Sequence, residues 1–253
     1  MDAEYSSRFV QYFCVNFLLL TSFLATEPTC KAKVDVGFIL DSSGSLRNDY
    51  QREKDFLKAL AGSFGLGDDR SRAGVITFSY FAEHSIKLKD HSDISSFNDA
   101  VDKIPLMGST TRIDKALRLS QDELFSLSNG ARPGIPKIIV LLTDGSQTQD
   151  ADAVDPGDIA DDIRNDGVRI LVIGIGSGVN QTELEHLGGG KENTFSAASF
   201  DELINKEFIK KVTDKNCQIG MYFQLFACGI HVCFTICLSS IFCRVILYVK
   251  QAF

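Results

Sequence analysis

A surplus of positive charge is missing from this 253-residue chain: 26 Lys and Arg stand against 33 Asp and Glu, for a formal net charge of −7. No Lys–Arg cluster marks its middle, so the balance argues against a nucleic-acid surface. Histidine is scarce. The four, His84, His91, His186 and His231, are scattered without the spacing a zinc site needs. No Ser-His-Asp order and no Cys-His pair points to a nucleophile. A complete phosphate or dinucleotide loop is also lacking. Gly174-Ile175-Gly176-Ser177-Gly178 does not continue into G-x-G-x-x-G, and no Ser or Thr follows Gly188-Gly189-Gly190-Lys191. Both stretches read as turns. With 44% hydrophobic and 23% charged residues, the chain is globular rather than disordered.

Cysteine is nearly absent from the middle. Of seven, Cys14 lies near the start and Cys228, Cys233, Cys237 and Cys243 near the end, leaving Cys30 and Cys217 to bracket the region between. Two cysteines at the edges of one domain suggest a disulfide joining its ends in a secreted chain. The segment Phe9 to Ala25 is almost wholly apolar and follows Arg8, so residues 1–25 read as a signal peptide cleaved near 25–29, with a retained signal anchor as the alternative. Ile219 to Cys243 is a second apolar run. It is long enough to cross a hydrocarbon core, which takes about 20 residues, and Arg244 and Lys250 follow it. The expectation is a transmembrane helix over 219–243 with a short cytoplasmic tail at 244–253; a processed lipid-anchor signal is the alternative. Asn180-Gln181-Thr182 is an N-glycosylation acceptor sequence.

Between 34 and 217, apolar runs alternate with amphipathic ones. Strands are expected at Val34–Leu40, Ala73–Ser79, Ser85–Leu88, Lys137–Thr143, Arg169–Ile175 and Thr194–Ala197. Helices are expected at Asp49–Phe64, Ser92–Ile104, Asp114–Leu127, Asp158–Asp166, Thr182–Leu187 and Ser199–Val212, the last opened by a Ser199/Glu202 capping box. Continuously apolar strands separated by helices predict an α/β fold, with a doubly wound, mostly parallel sheet covered on both faces. Ligands of such sheets bind outside the carboxyl ends of the strands.

At the first of those ends stands Asp41-Ser42-Ser43-Gly44-Ser45. Oxygens at i, i+2 and i+4 of a tight turn can face one point, and Gly44 is expected to relieve crowding there. Carboxylate and hydroxyl oxygens suit a hard cation such as Mg²⁺. Asp144 lies at a second strand end, and the turn before the Asp114 helix opens on the same side if the topology is parallel.

Four blocks carry a resemblance: Val34 through Ser45, Gly108 through Leu117, Ile138 through Gly145 and Gly167 through Gly176. In order and spacing, residues 31–217 resemble a von Willebrand factor type A domain, nearest in flavour to matrilin and collagen-type matrix domains, where terminal cysteines also pair. The resemblance implies a metal-ion-dependent adhesion site built from Asp41, Ser43, Ser45, Thr111 and Asp144, with Thr110 as the alternative to Thr111. It implies Mg²⁺, or Mn²⁺ or Ca²⁺ in its place. It also implies an extracellular protein partner, with matrix proteins such as collagen among the candidates, that presents an Asp or Glu carboxylate as the last ligand. The implied role is adhesion and not catalysis. A structural role in the extracellular matrix, mineral-associated matrix included, without metal-dependent adhesion, is the alternative.

Overall fold

The computed structural model describes residues 33–67 and 69–213. The expected leader, Cys30, Cys217, the 219–243 segment and the 244–253 tail lie outside the described residues. Among the described residues, no helix is long and apolar enough to cross a membrane.

Six strands form one sheet: β1 (Asp35–Asp41), β2 (Arg72–Phe78), β3 (Ala82–Ile86), β4 (Lys137–Thr143), β5 (Arg169–Ile175) and β6 (Thr194–Ala197), in the order β3-β2-β1-β4-β5-β6. Every pairing is parallel except β2 with β3. β1 sits between β2 and β4, so the chain winds outward from it in both directions. The crevice outside the carboxyl ends of β1 and β4 is therefore the switch point at which ligands of this architecture bind.

Strand alternation divides the core into two layers. Val36, Phe38 and Leu40 face α1 (Tyr50–Phe64) and α2 (Ile94–Asp102) through Phe56, Leu57, Leu60, Phe97 and Val101. Ile39, Ile76, Ile139 and Leu141 face α3 (Ile113–Leu119), α4 (Pro156–Asn165) and α5 (Gln181–Gly188) through Ile113, Leu117, Ile159, Ile163 and Leu184. All of these side chains are essentially fully buried, each worth about 1.5–3 kcal/mol of transfer free energy. A buried ion pair closes the opposite end of β1. Arg132 donates to both carboxyl oxygens of fully buried Asp35, through Nη2 at 2.6 Å and its backbone amide at 2.8 Å.

Local departures from the expected elements have identifiable causes. The helix expected over 114–127 is α-helical only to Leu119 and then widens into a π turn, Ser120–Leu124. Ser120 Oγ donates to the Ala116 carbonyl, and Leu124 packs where the sheet has Gly37 and Gly74. A Cβ at Gly37 would fall 2.1 Å from Leu124 Cδ2. The third strand lies earlier than expected, at Ala82–Ile86. α4 begins at Pro156, because the Asp155 carboxylate accepts from the Gly157 amide and caps it. It ends where expected, before Gly167 at φ 81°.

The closing helix is split. α6 (Phe200–Leu203) stops, and residues 206–213 resume as helix. Asn205 Oδ1 accepts from the Glu207 amide, a new N-cap that interrupts the apolar periodicity. The expected capping box is absent: Ser199 makes no side-chain cap, and Glu202 accepts from the Ala198 amide instead.

Candidate metal centre

Asp41 is the last residue of β1 and is fully buried. Its Oδ1 accepts from the Ser43 amide at 2.9 Å and its Oδ2 from the Thr143 hydroxyl at 2.7 Å. The chain then turns into a short 3₁₀ segment, Gly44–Asn48. Ser43 Oγ and Ser45 Oγ lie 3.0 Å apart, and Ser45 Oγ donates to Asp144 Oδ1 at 2.9 Å. Asp41, Ser43, Ser45 and Asp144 thus form one hydrogen-bonded chain across the carboxyl ends of β1 and β4. Glycine is less necessary at 44 than the sequence suggested: a Cβ there would make ordinary contact, 3.4 Å from the Gly108 carbonyl oxygen.

The 105–111 loop completes the rim. It is hooked to the β1 turn by Gly108 N to Ser42 O (2.8 Å), Gly44 N to Ser109 O (2.8 Å) and Met107 N to Ser42 Oγ (2.7 Å). Thr111 is brought to the Asp144 turn. Its amide donates to Thr148 Oγ1 at 3.1 Å, and Thr148 N donates to its carbonyl at 2.8 Å. Thr111 Oγ1 faces Gly145, 4.0 Å from the position of a Cβ on that glycine. Thr110 is turned differently: its carbonyl accepts from Ser79 Oγ at 3.0 Å, and the residue is exposed.

Electrostatics favour a cation here. Burial pushes the Asp41 carboxyl up to about 6, against the hydrogen bonds from Thr143 and Ser43, and the Asp144 charge adds to the rise. Burial also raises half-buried Asp144, offset in part by the Ser45 hydroxyl, with Asp49 raising it further. Beneath them lies Glu53 of α1, on the same helical stripe as Tyr50, Leu57 and Leu60. It is fully buried, and neither carboxyl oxygen has a hydrogen-bond partner. Burial and the charges of Asp41 and Asp144 hold it well above the ordinary carboxylate range; the nearby Asp41 backbone offsets this only slightly. The three acids thus act on one another: the charge of Asp144 raises Asp41, and the charges of both raise Glu53.

Among the described residues no three His, Cys, Asp or Glu side chains gather as a metal cluster. A cation at this site would instead rest on hydroxyls beside two carboxylates. That all-oxygen donor set fits Mg²⁺, Mn²⁺ or Ca²⁺ by hardness. Other functional positions were not legible. Thr143, which holds Asp41, was read only as strand, although its place directly before Asp144 is a signal. Asn180 is exposed and caps α5, its Oδ1 accepting from the Thr182 amide at 3.0 Å.

A family model for the von Willebrand factor type A domain matches residues 35–211. The chain belongs to that family. It is 35% identical over 182 residues to a human collagen alpha-6(VI) chain, an alignment covering 71% of this chain and 8% of that one. It is 26% identical over 225 residues to chicken matrilin-3, covering 85% of this chain and 47% of the relative. The chain therefore spans a small part of the collagen relative and about half of the matrilin. Among solved structures, proximal thread matrix protein 1 from the mussel byssus, with a zinc-occupied metal-ion-dependent adhesion site, superposes with a TM-score of 0.67 at 30% identity, over 74% of this chain and 46% of that one. Divalent-metal binding thus occurs within the family, and the relatives are extracellular matrix proteins.

Proposed function

We propose that this chain is an extracellular adhesion module that binds protein partners through a divalent cation, Mg²⁺ in its native setting, held by Asp41, Ser43, Ser45, Thr111 and Asp144. The observation that carries the reading is the hydrogen-bonded chain from Asp41 through Ser43 and Ser45 to Asp144, at the switch point of the sheet. A bound cation supplies a coordination position for a carboxylate oxygen of the partner. The chain's own groups do the rest. Asp41, fixed by Ser43 and Thr143, supplies charge from below, while Ser43, Ser45 and Thr111 supply neutral oxygens and leave the charge under-compensated. A partner Asp or Glu is then the favoured final ligand.

The surroundings suit such a partner. Lys115 Nζ lies 4.2 Å from the ring centre of Tyr80, and Tyr80 packs edge-on against the exposed Phe81. This cluster, in which Lys115 also pairs with Asp152 at 3.5 Å, is tied through Ser79 to Ser109 and Thr110 of the neighbouring loop. Catalysis is not part of the reading: both Asp41 oxygens already accept hydrogen bonds. A leader at 1–25, a Cys30–Cys217 disulfide and a glycan on Asn180 belong to the same extracellular proposal, as does membrane attachment through 219–243.

The test is solid-phase binding of the full chain to immobilised collagen and to a peptide with one Glu. Binding is expected with Mg²⁺, and is expected to be lost with EDTA and in Asp41→Ala. EDTA-insensitive binding to collagen would favour the structural-matrix alternative.

A further inference from the structure

The structure assigns to Arg112 the role of a positioning residue that sets Thr111 against Asp144, an assignment that rests on the metal-site reading above. Arg112 directly follows Thr111 and is 1% exposed. Its guanidinium forks onto Asp114, Nε to Oδ1 at 2.9 Å and Nη2 to Oδ2 at 2.8 Å. It also reaches the segment that follows Asp144, with Nη1 donating to Asp152 Oδ1 at 2.7 Å and Asp150 Oδ2 at 3.3 Å, and Nη2 donating to the Asp152 carbonyl at 3.2 Å. Asp114 extends the same link. Its Oδ2 accepts from the Val154 amide, and its own amide donates to Gln147 Oε1, whose Nε2 donates to the Val154 carbonyl.

Residues 111–114 and 147–154 are therefore clasped as one unit, with Thr111 at its edge. The Thr111 amide and carbonyl are held by Thr148 of the same unit. The hydroxyl of Thr111 and the carboxylate of Asp144 come from strand connections 33 residues apart in sequence. What fixes one against the other is this clasp, with Arg112 at its centre. Lysine cannot replace the fork, because a point charge with three donors does not match three carboxylates and a carbonyl at once. The buried charge is costly unless the whole set is made, so the arrangement has one geometry rather than several. Residues that orient ligands in this way change metal affinity by about 10–100-fold when altered.

The experiment uses the full chain and Mn²⁺ alone as probe, with affinity read by calorimetry and metal-free stability by thermal unfolding. Arg132→Lys is the control: it disturbs another Arg–Asp pair, that of part-buried Arg132 with fully buried Asp35, at the other end of β1. Both variants should lower the metal-free melting temperature, and only Arg112→Lys should weaken Mn²⁺ binding, by about tenfold or more. Wild-type affinity in Arg112→Lys, with binding lost in Asp41→Ala, overturns the positioning role alone. An equal loss in Arg132→Lys also overturns it. A wild-type chain that binds no Mn²⁺ overturns the metal reading and this role with it. If Arg112→Lys does not fold, the double variant Asp150→Asn/Asp152→Asn changes partly exposed partners of the fork; a several-fold loss is expected, and no loss overturns the role.

Discussion

Acidification from pH 7.5 to 5 should weaken cation binding about tenfold, through Asp41. The carboxyl must be ionised to serve a cation, and burial has pushed it up to about 6. Roughly 97% of the metal-free chain then carries an ionised Asp41 at pH 7.5, and about 9% at pH 5, a ratio of about 11. Asp144 is raised as well and steepens the dependence. The stability of the metal-free chain runs the other way. A carboxyl with a raised folded-state pKa binds its proton more tightly when folded, so its contribution is present below the ordinary value of 3.8 and is lost as pH rises toward about 6. A shift of this size corresponds to about 3 kcal/mol. Calorimetric titration with Mn²⁺ at pH 5, 6 and 7.5, beside thermal unfolding in EDTA, measures both slopes. Asp41→Asn, which cannot ionise, isolates Asp41 from the other carboxyls: its metal-free stability should lack this part of the pH slope. A flat wild-type affinity from pH 5 to 7.5, or an Asp41→Asn melting profile parallel to wild type, would refute the reasoning.

Glu53→Met should stabilise the metal-free chain at neutral pH by about 1–3 kcal/mol, the usual cost of a buried polar group without partners; urea unfolding of the two proteins in EDTA reads the difference. Gly178→Ala places a Cβ 2.7 Å from the Asp144 carbonyl oxygen. Because that contact is with backbone, the Asp144 turn must shift, and Mn²⁺ affinity should drop several-fold; unchanged affinity would show that the turn tolerates the move. Thr111→Ala should reduce Mn²⁺ affinity, whereas Thr110→Ala should leave it near wild type, and titration of the two variants side by side decides between the hydroxyls.

Much of the site was readable because its residues stand at strand ends, and strand ends follow from hydrophobic runs. Val36–Leu40 and Ile138–Leu142 are apolar throughout, so Asp41 and Asp144 could be placed at the carboxyl ends of buried strands. Helix breaks were harder. The π turn at Ser120–Leu124 depends on Leu124 meeting Gly37 and Gly74 across the sheet, contacts far away in sequence. The interruption at Asn205 was hidden because its cap competes with a good apolar pattern on either side. Glu53 stands three residues after Tyr50 and four before Leu57, on the buried stripe of its helix, so its position was legible from spacing while its lack of a partner was not.

Periodicity, a local property, was enough for the α/β class, and the resemblance carried by four short blocks implied the family and the five candidate oxygen-bearing residues. The sequence could also mark the exposed acceptor Asn180. Tertiary structure decided what those residues touch. It paired the Thr111 backbone with Thr148 and turned the Thr110 carbonyl toward Ser79. It joined Ser45 to Asp144 across 99 residues. It placed Glu53 unpartnered below them and turned Arg112 into the clasp of two loops. Each of these depends on the parallel winding that brings the β1, β2 and β4 ends to one edge, and a desolvated carboxylate acquires its unusual proton affinity only once that edge is closed over it.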